Sequence, residues 1–332
     1  MYPLSLFSNV EIPEFLCYIV FMAKLRKKDL ISIRDLSKEE VQMVLNLAKF
    51  LKSKAKKGIN PQILKGKTIA MIFEKPSNRT RVSFEVGMWQ LGGLAIDLDF
   101  KGLRFGIGES IPDIARTLSR YVNGIVIRTF KHENVKELAR NASIAVINGL
   151  TDLSHPCQAL ADLFTIWEKK GKLRGVKIAY VGDGNNVCHS LFNIASIMGM
   201  EMIAACPKGY QPDPNVMKVV NEDAKRSKAV IGVVNDPADA VIGADVIYTD
   251  VWTSMGQEKE SAKRKKAFKN YQVNLDMVKK AKKDAIVMHC LPAHRGEEIT
   301  SDVMDSKYSV VFDQAENRLH VQKAILALLL GG

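Results

Sequence analysis

The residues most able to do chemistry sit in short polar stretches that each follow an apolar run. After Thr68–Phe73 comes Glu74-Lys75-Pro76-Ser77-Asn78-Arg79-Thr80-Arg81, and then a helix-period stretch, VSFEVGMWQLG. Pro76 delays the helix and Ser77 can cap it, so hydroxyls, unpaired backbone N–H groups and two guanidinium forks converge at a helix N-terminus. That arrangement favours an anion, a phosphate above all. The plainer alternative is a capped helix with exposed arginines. Arg128 ends the apolar run Gly124–Ile127 and is either an anion ligand or half of an ion pair. After Ile144–Ile147, His155-Pro156-Cys157-Gln158 puts His and Gln one turn apart at a helix start, where both can reach one carbonyl group or merely cap the helix. Asp250 follows Val246–Tyr248 and suits a ligand ammonium, or caps the next turn. Cys290 follows Ala285–Met288, a position where an inert core thiol is the usual occupant. After Lys177–Val181, Gly182-Asp183-Gly184-Asn185-Asn186 lacks G-x-G-x-x-G and has an acid where a pyrophosphate would lie, which argues against NAD and FAD.

The elements that must position these groups alternate: apolar, β-rich runs of about five residues, then helix-period stretches. Strands are expected at Thr68–Phe73, Leu94–Leu98, Gly124–Ile127, Ile144–Ile147, Lys177–Val181, Met202–Ala205, Val230–Val233, Val246–Tyr248, Ala285–Met288 and Ser309–Phe312. One helix should start at Ser110, with Pro112 in its first turn and Asp113 completing a cap. Another should run from near Asn186 to Gly199, and Leu319–Leu330, apolar on nearly all sides, should dock onto a core. The fold class is α/β: two doubly wound parallel-sheet domains with the active site in the cleft between them. Trp167–Gly175 (WEKKGKLRG) marks the joint. We expect a first domain over 22–168, completed by the C-terminal helix 315–332, and a second over 169–314. Open parallel sheets bind ligands beyond the carboxyl ends of their strands, so phosphate-type groups from the first half and amino-acid-type groups from the second would face each other.

At 332 residues the chain is long enough for two domains and a core that needs no staples. Its five cysteines are widely spaced with no C-x-x-C pair, which excludes a disulfide framework or zinc knuckle and fits a reducing, cytoplasmic setting. No metal-ligand cluster is apparent, so cofactor-free chemistry is expected. The net charge of +12 concentrates in KSKAKK (Lys52–Lys57), Arg264–Lys266 and KKAKK (Lys279–Lys283), which read as exposed helix faces and loops. None of these blocks is interleaved with aromatics, so nucleic acid is discounted, while a small anionic substrate would gain from the field. Phe15–Ala23 is too short to span a bilayer, and Glu11 and Glu14 precede it where a signal peptide would be basic. Residues 1–21 are expected to be an extension outside the fold, with Met22 the start of the folded part.

From about Leu30 onward the chain resembles the aspartate/ornithine transcarbamoylases, and among them the ornithine carbamoyltransferases. The resemblance rests on Ser77–Arg81 (SNRTR), His155–Gln158 (HPCQ), Asp183–Val187 (DGNNV), Asp250–Glu258 (DVWTSMGQE), His289–Glu298 (HCLPAHRGEE) and Ala315–Arg318 (AENR), in that order. The first two motifs are shared across the wider family and imply carbamoyl phosphate; SMGQ and HCLP imply ornithine. The resemblance further implies that Ser77, Asn78, Arg79 and Thr80 bind the phosphate with help from Arg128, and that His155 and Gln158 hold the carbamoyl oxygen and amide. Asn186 and the Met255 backbone would meet the ornithine carboxylate, and Asp250 and Ser254 its α-ammonium. Cys290 and Leu291 would lie against both ligands, Cys290 as proton acceptor, and Arg318 would return to the carbamoyl group. Arg128 and His155 join Cys290 as catalytic residues, stabilising the oxyanion. No cofactor and a homotrimer, or an assembly of trimers, are implied. The chain departs from the family twice: Asn78 replaces a usual threonine, and Arg104 stands where a glutamine is usual, which puts carbamoyl-phosphate affinity in question. Segment Ser254–Phe268 is the candidate lid. Another amine acceptor such as putrescine, or a non-catalytic binding homologue, are the alternatives.

Overall fold

The computed structural model describes residues 24–103, 105, 106 and 108–331. Arg104 and the proposed extension 1–21 therefore lie outside the described residues.

The first half holds four parallel strands: β1 (Thr68–Phe73), β2 (Leu94–Leu98), β3 (Gly124–Arg128) and β4 (Ala145–Leu150), in the order β2-β1-β3-β4. Five parallel strands make the second sheet: β5 (Lys177–Val181), β6 (Glu201–Ala205), β7 (Val230–Val234), β8 (Val246–Thr249) and β9 (Ile286–His289), in the order β7-β6-β5-β8-β9. The direction of winding reverses between β1 and β3 and again between β5 and β8. These are the switch points at which a crevice opens beyond the strand ends. Ser77, Arg128, Asn186 and Asp250 all lie just past or at the ends of those four strands.

Nine of the expected strands form, with ends shifted by no more than three residues. Ser309–Phe312 does not. Ser309 makes a single parallel bridge to Val287, and a helix begins at Val311. The apolar run Val310-Val311-Phe312 is read by a helical turn because Gln314 N–H reaches back to the Val310 carbonyl at 2.9 Å, leaving Phe312 exposed. The Ser110 cap forms as expected and starts Ile111–Tyr121.

Three helices build the floor of the crevice: α1 (Lys38–Lys56), α2 (Pro156–Lys170) and α3 (Val311–Leu330). Every residue from Pro156 to Ile166 is buried, because α2 is enclosed by α1, α3 and the second-half helix Asn186–Met198. The last helix thus packs mainly on the first half while its first turn touches β9. Polar pairs fix its docking. The buried Lys52 on α1 donates to Asn317 (2.7 Å) and pairs with Glu168 (2.9 Å). Asn317 in turn donates to Thr165 and Glu168. Lys52 and Arg264 correct the expectation that the basic blocks are wholly exposed: a carboxylate within 3 Å makes burial of each cation tolerable.

Candidate active site

The helix Asn78–Gln90 starts as its sequence suggests: the Ser77 hydroxyl accepts from Thr80 N–H at 3.3 Å. The amides of Asn78 and Arg79 are left to point outward beside the Arg79 side chain. Arg81 does not join them. It turns to the far face and pairs with Asp97 (3.1 Å) and Glu85, so the site receives one arginine from this motif, not two.

The second guanidinium is Arg128, set at a register break between β3 and β4, with its Nε buried and unpartnered. The third is Arg318, from α3, which donates to Gln158 Oε1 (2.6 Å) and Thr80 Oγ1 (3.2 Å). Neither Arg79, Arg128 nor Arg318 has a carboxylate partner among the described residues. Burial, and then Arg318 and Arg79, pull the pKa of Arg128 down to about 10. His155 lies among them, and burial followed by repulsion from Arg318, Arg128 and Arg79 holds its pKa well below the usual value. It is therefore a neutral imidazole, and its buried Nδ1 has no partner. Three cations and a neutral donor around one volume form a site whose charge favours an anion.

Across the crevice the sign reverses. Asp250 is buried with no cation partner among the described residues; its carboxylate accepts from Asn185 Nδ2 (2.7 Å), Val251 N–H (2.8 Å) and the Cys290 thiol (3.1 Å). Cys290 is thus a hydrogen-bond donor here. Burial, then the charge of Asp250, raises its pKa well above the usual thiol value, so it is protonated at neutral pH. The strand end that carries it is held by buried polar contacts: His289 Nε2 lies 3.0 Å from Glu298, and His289 Nδ1 accepts from Leu291 N–H at 2.9 Å. Asp250, His289 and Cys290 lie close enough together to resemble a metal triad. Both ring nitrogens of His289 and the thiol proton are already committed, however, so the triad offers no ready ligand set.

Ser254, Met255, Gly256 and Gln257 form a tight turn, with Gln257 N–H donating to Ser254 O (3.0 Å). Gly256 has φ +96°, and a Cβ there would come within 3.2 Å of Phe130 in the first half, so only glycine fits. The following helix Ser261–Phe268 is tied down by Arg264, which pairs with Asp183 at 2.9 Å. The acid in the Gly182–Asn186 turn therefore has a protein partner and is not a ligand for a nucleotide.

These groups line one cavity of about 1130 Å³ between the halves. Its wall includes Ser77, Asn78, Arg79, Thr80, Arg128, His155, Asn186, Asp250, Ser254, Met255, Cys290, Leu291 and Arg318, which brings nearly every sequence-predicted residue together. Gln158 is the exception. It stands behind Arg318, accepting from it and donating to Asp162 at 2.8 Å, so it braces the arginine from outside the cavity wall. Three participants escaped the sequence reading. Lys75 lies on the wall against Asp152, and Asp162 and Gln314 lie beneath it. A carboxylate within the apolar stretch CQALADLF was the one visible signal for Asp162.

A model of the carbamoyl-phosphate-binding domain of aspartate/ornithine carbamoyltransferases matches residues 28–168, and a model of the family's Asp/Orn-binding domain matches 174–329. The chain belongs to the aspartate/ornithine carbamoyltransferase family. It is 57% identical over 310 residues to an ornithine carbamoyltransferase of Carboxydothermus hydrogenoformans, covering 93% of this chain and 100% of that protein. It is 54% identical over 311 residues to an anabolic ornithine carbamoyltransferase of Pyrococcus furiosus, covering 94% of this chain and 99% of that one. The solved structure of ornithine carbamoyltransferase from Pyrococcus furiosus superposes with a TM-score of 0.91 at 55% identity, over 93% of this chain and 99% of the other. In this family member the anion end and the Asp250 end match the two named binding domains in order.

The thiol's state is testable by site-resolved alkylation of Cys290, read by mass spectrometry across pH. A raised pKa keeps the thiolate scarce at neutral pH, so the rate should still climb about tenfold per unit above pH 9. In Asp250→Asn the neighbouring charge is gone and the profile should move to lower pH. A plateau reached by pH 7 in the wild type would contradict the assignment.

Proposed function

We propose that this protein transfers the carbamoyl group of carbamoyl phosphate to the side-chain amine of L-ornithine, giving L-citrulline and phosphate, as a step of arginine metabolism. The observation that carries the reading is the bipolar crevice: uncompensated guanidiniums at one end and an uncompensated carboxylate, Asp250, at the other. Carbamoyl phosphate supplies the anion. The α-ammonium of ornithine supplies the cation, and its α-carboxylate, the one group a four-carbon diamine lacks, has Asn186 and the Met255 backbone on the cavity wall to meet it, which favours an amino-acid acceptor.

The phosphate sits on the amides and hydroxyls of Ser77–Thr80, with Arg79 and Arg128. Neutral His155 donates to the carbamoyl oxygen, and Arg128 and Thr80 stabilise the oxyanion as the neutral amine attacks the carbonyl carbon. Arg318 contacts the carbamoyl group and is braced by Gln158. The Asn186 amide meets the ornithine carboxylate with the backbone at Met255; Ser254 supports the ammonium on Asp250, and Leu291 packs against both ligands. Asn78 keeps the backbone donor of the usual threonine and offers an amide in place of a hydroxyl. When the ammonium pairs with Asp250, the charge that raises the Cys290 pKa is neutralised. Once the thiol proton has passed to solvent as the acceptor enters, the Cys290 thiolate accepts the proton of the attacking amine, so one proton moves in all from the amine to solvent. The segment Ser254–Phe268 closes over the reactants and excludes water. We assign 22–168 with the helix 315–332 to the carbamoyl-phosphate half and 169–314 to the ornithine half. Four free thiols among the described cysteines suit the cytoplasm.

The assembly is proposed to be a homotrimer. Val82, Trp89, Leu94 and Ile96 are exposed along the edge strand β2 and its neighbouring helix, an apolar face beside the phosphate site. Light scattering should give a mass three times that of the chain, and Trp89→Glu should shift it towards monomer; a wild-type monomer at micromolar concentration would refute the assembly.

Citrulline formation from carbamoyl phosphate and ornithine, run beside a putrescine assay, tests the reaction. Ornithine should react far faster, and Arg79→Ala should weaken carbamoyl-phosphate use about 100-fold without unfolding the protein, as loss of a charge-assisted phosphate contact predicts. Absence of citrulline from folded protein would overturn the assignment.

A further inference from the structure

Asp162, in the middle of α2, is completely buried, and it has no salt bridge to a cation among the described residues. Its carboxylate accepts from Gln158 Nε2 (2.8 Å), Gln314 Nε2 (2.7 Å) and the Tyr248 hydroxyl (3.0 Å). Each donor leads to a different wall of the cavity. Gln158 Oε1 accepts from Arg318, which also reaches Thr80. Gln314 Oε1 accepts from His289 N–H at 2.9 Å, one residue before Cys290. Tyr248 stands on β8 two residues before Asp250. One buried group thus joins the first half, the returning helix and two strand ends of the second half.

The chemistry of the donors explains why the group is an acid. Both glutamines turn their oxygens outward, one to a guanidinium and one to a backbone N–H, so both must turn their NH2 groups inward. A carboxylate can accept from both amides and from the hydroxyl at once, with no proton of its own to place. Burial pushes the carboxyl up to about 7 against the pull of its three donors. For filling space alone, an apolar side chain would avoid that desolvation cost.

We propose that Asp162 is a positioning residue for the carbamoyl transfer, holding Arg318 of the anion site in register with the Asp250 and Cys290 strand ends of the acceptor site. The inference rests on the proposed reaction and deepens it. In Asp162→Asn the new NH2 faces either a glutamine NH2, which must then turn away and give up Arg318 or His289 N–H, or the Tyr248 hydroxyl, which must turn its proton out of the network.

The test compares the wild type and Asp162→Asn as full-length proteins, measuring citrulline kinetics, inorganic phosphate binding by calorimetry, and thermal unfolding. The expected result is a fall in kcat of about 100-fold, the scale set by misplacing reactants from a distance. Phosphate affinity should stay within about threefold, because Arg79, Arg128 and the helix N-terminus remain. If Asp162→Asn does not fold, Tyr248→Phe removes a single donor and should lower kcat about tenfold with the same split. A kcat within twofold of wild type overturns the proposal. So does a variant whose turnover per folded molecule is unchanged while its unfolding temperature drops, since that is a purely structural role. A wild-type protein that forms no citrulline refutes the underlying reaction and this inference with it; citrulline from the wild type with an unaffected variant refutes the inference alone.

Discussion

Uncompensated positive charge is the constraint on which this structure turns. Arg79, Arg128 and Arg318 face one volume with a neutral His155 among them, and no carboxylate approaches the three guanidiniums among the described residues. Such a cluster repels itself and is costly to desolvate, so the rest of the fold must hold it in place. Arg318 arrives from the last helix, and that helix can deliver it only if it crosses back onto the first half. The buried Lys52–Asn317–Glu168 contacts dock it there one residue before the arginine. The C-terminal helix is therefore part of the anion site as well as part of the core.

The second constraint is that the two halves must meet with defined geometry and still open. Helix α2 satisfies it by belonging to both. His155 begins it, and His155 N–H donates to the Ser190 hydroxyl of the second half at 2.8 Å. Asp162 in its middle meets Tyr248 from the second sheet. The floor of the crevice is continuous and tied by buried polar contacts, whereas the rim is made of turns. Ser254–Gln257 touches Phe130 through a glycine, and Arg264 anchors the following helix to Asp183.

Much of this was legible in the sequence, for physical reasons. Parallel strands buried on both faces read as short apolar runs, and each chemical motif followed one, so the sheet edge and the cleft could be placed without coordinates. Ser309–Phe312 misled because an apolar run of four has no period that separates a strand from a helix start. Arg81 misled because spacing along a helix does not reveal which face meets the ligand; Asp97, on a neighbouring strand, draws it away. Gln158 was placed in the right network but one layer too far forward, since its partner Arg318 is 160 residues distant in the chain. Asp162 and Gln314 were invisible as a pair for the same reason.

The acceptor end follows a different logic from the phosphate end. At the phosphate end the charges are fixed and the ligand completes them. At the Asp250 end the carboxylate accepts from a titratable thiol 3.1 Å away, so a cation bound there in the proposed reaction would act on the protein's own charge state. Burial first, and then the charge of Asp250, raises the Cys290 pKa and keeps its proton on. In the proposed reaction an ammonium bound to Asp250 would offset the Coulombic part of that rise and so lower the thiol's pKa, leaving the part due to burial. The proton-accepting group would then be armed by correct binding of the acceptor's head, several bonds from the reacting amine. A four-carbon diamine would still offer Asp250 an ammonium and lacks only the α-carboxylate, so in the proposed reaction selection against it falls to the Asn186 and Met255 side of the crevice.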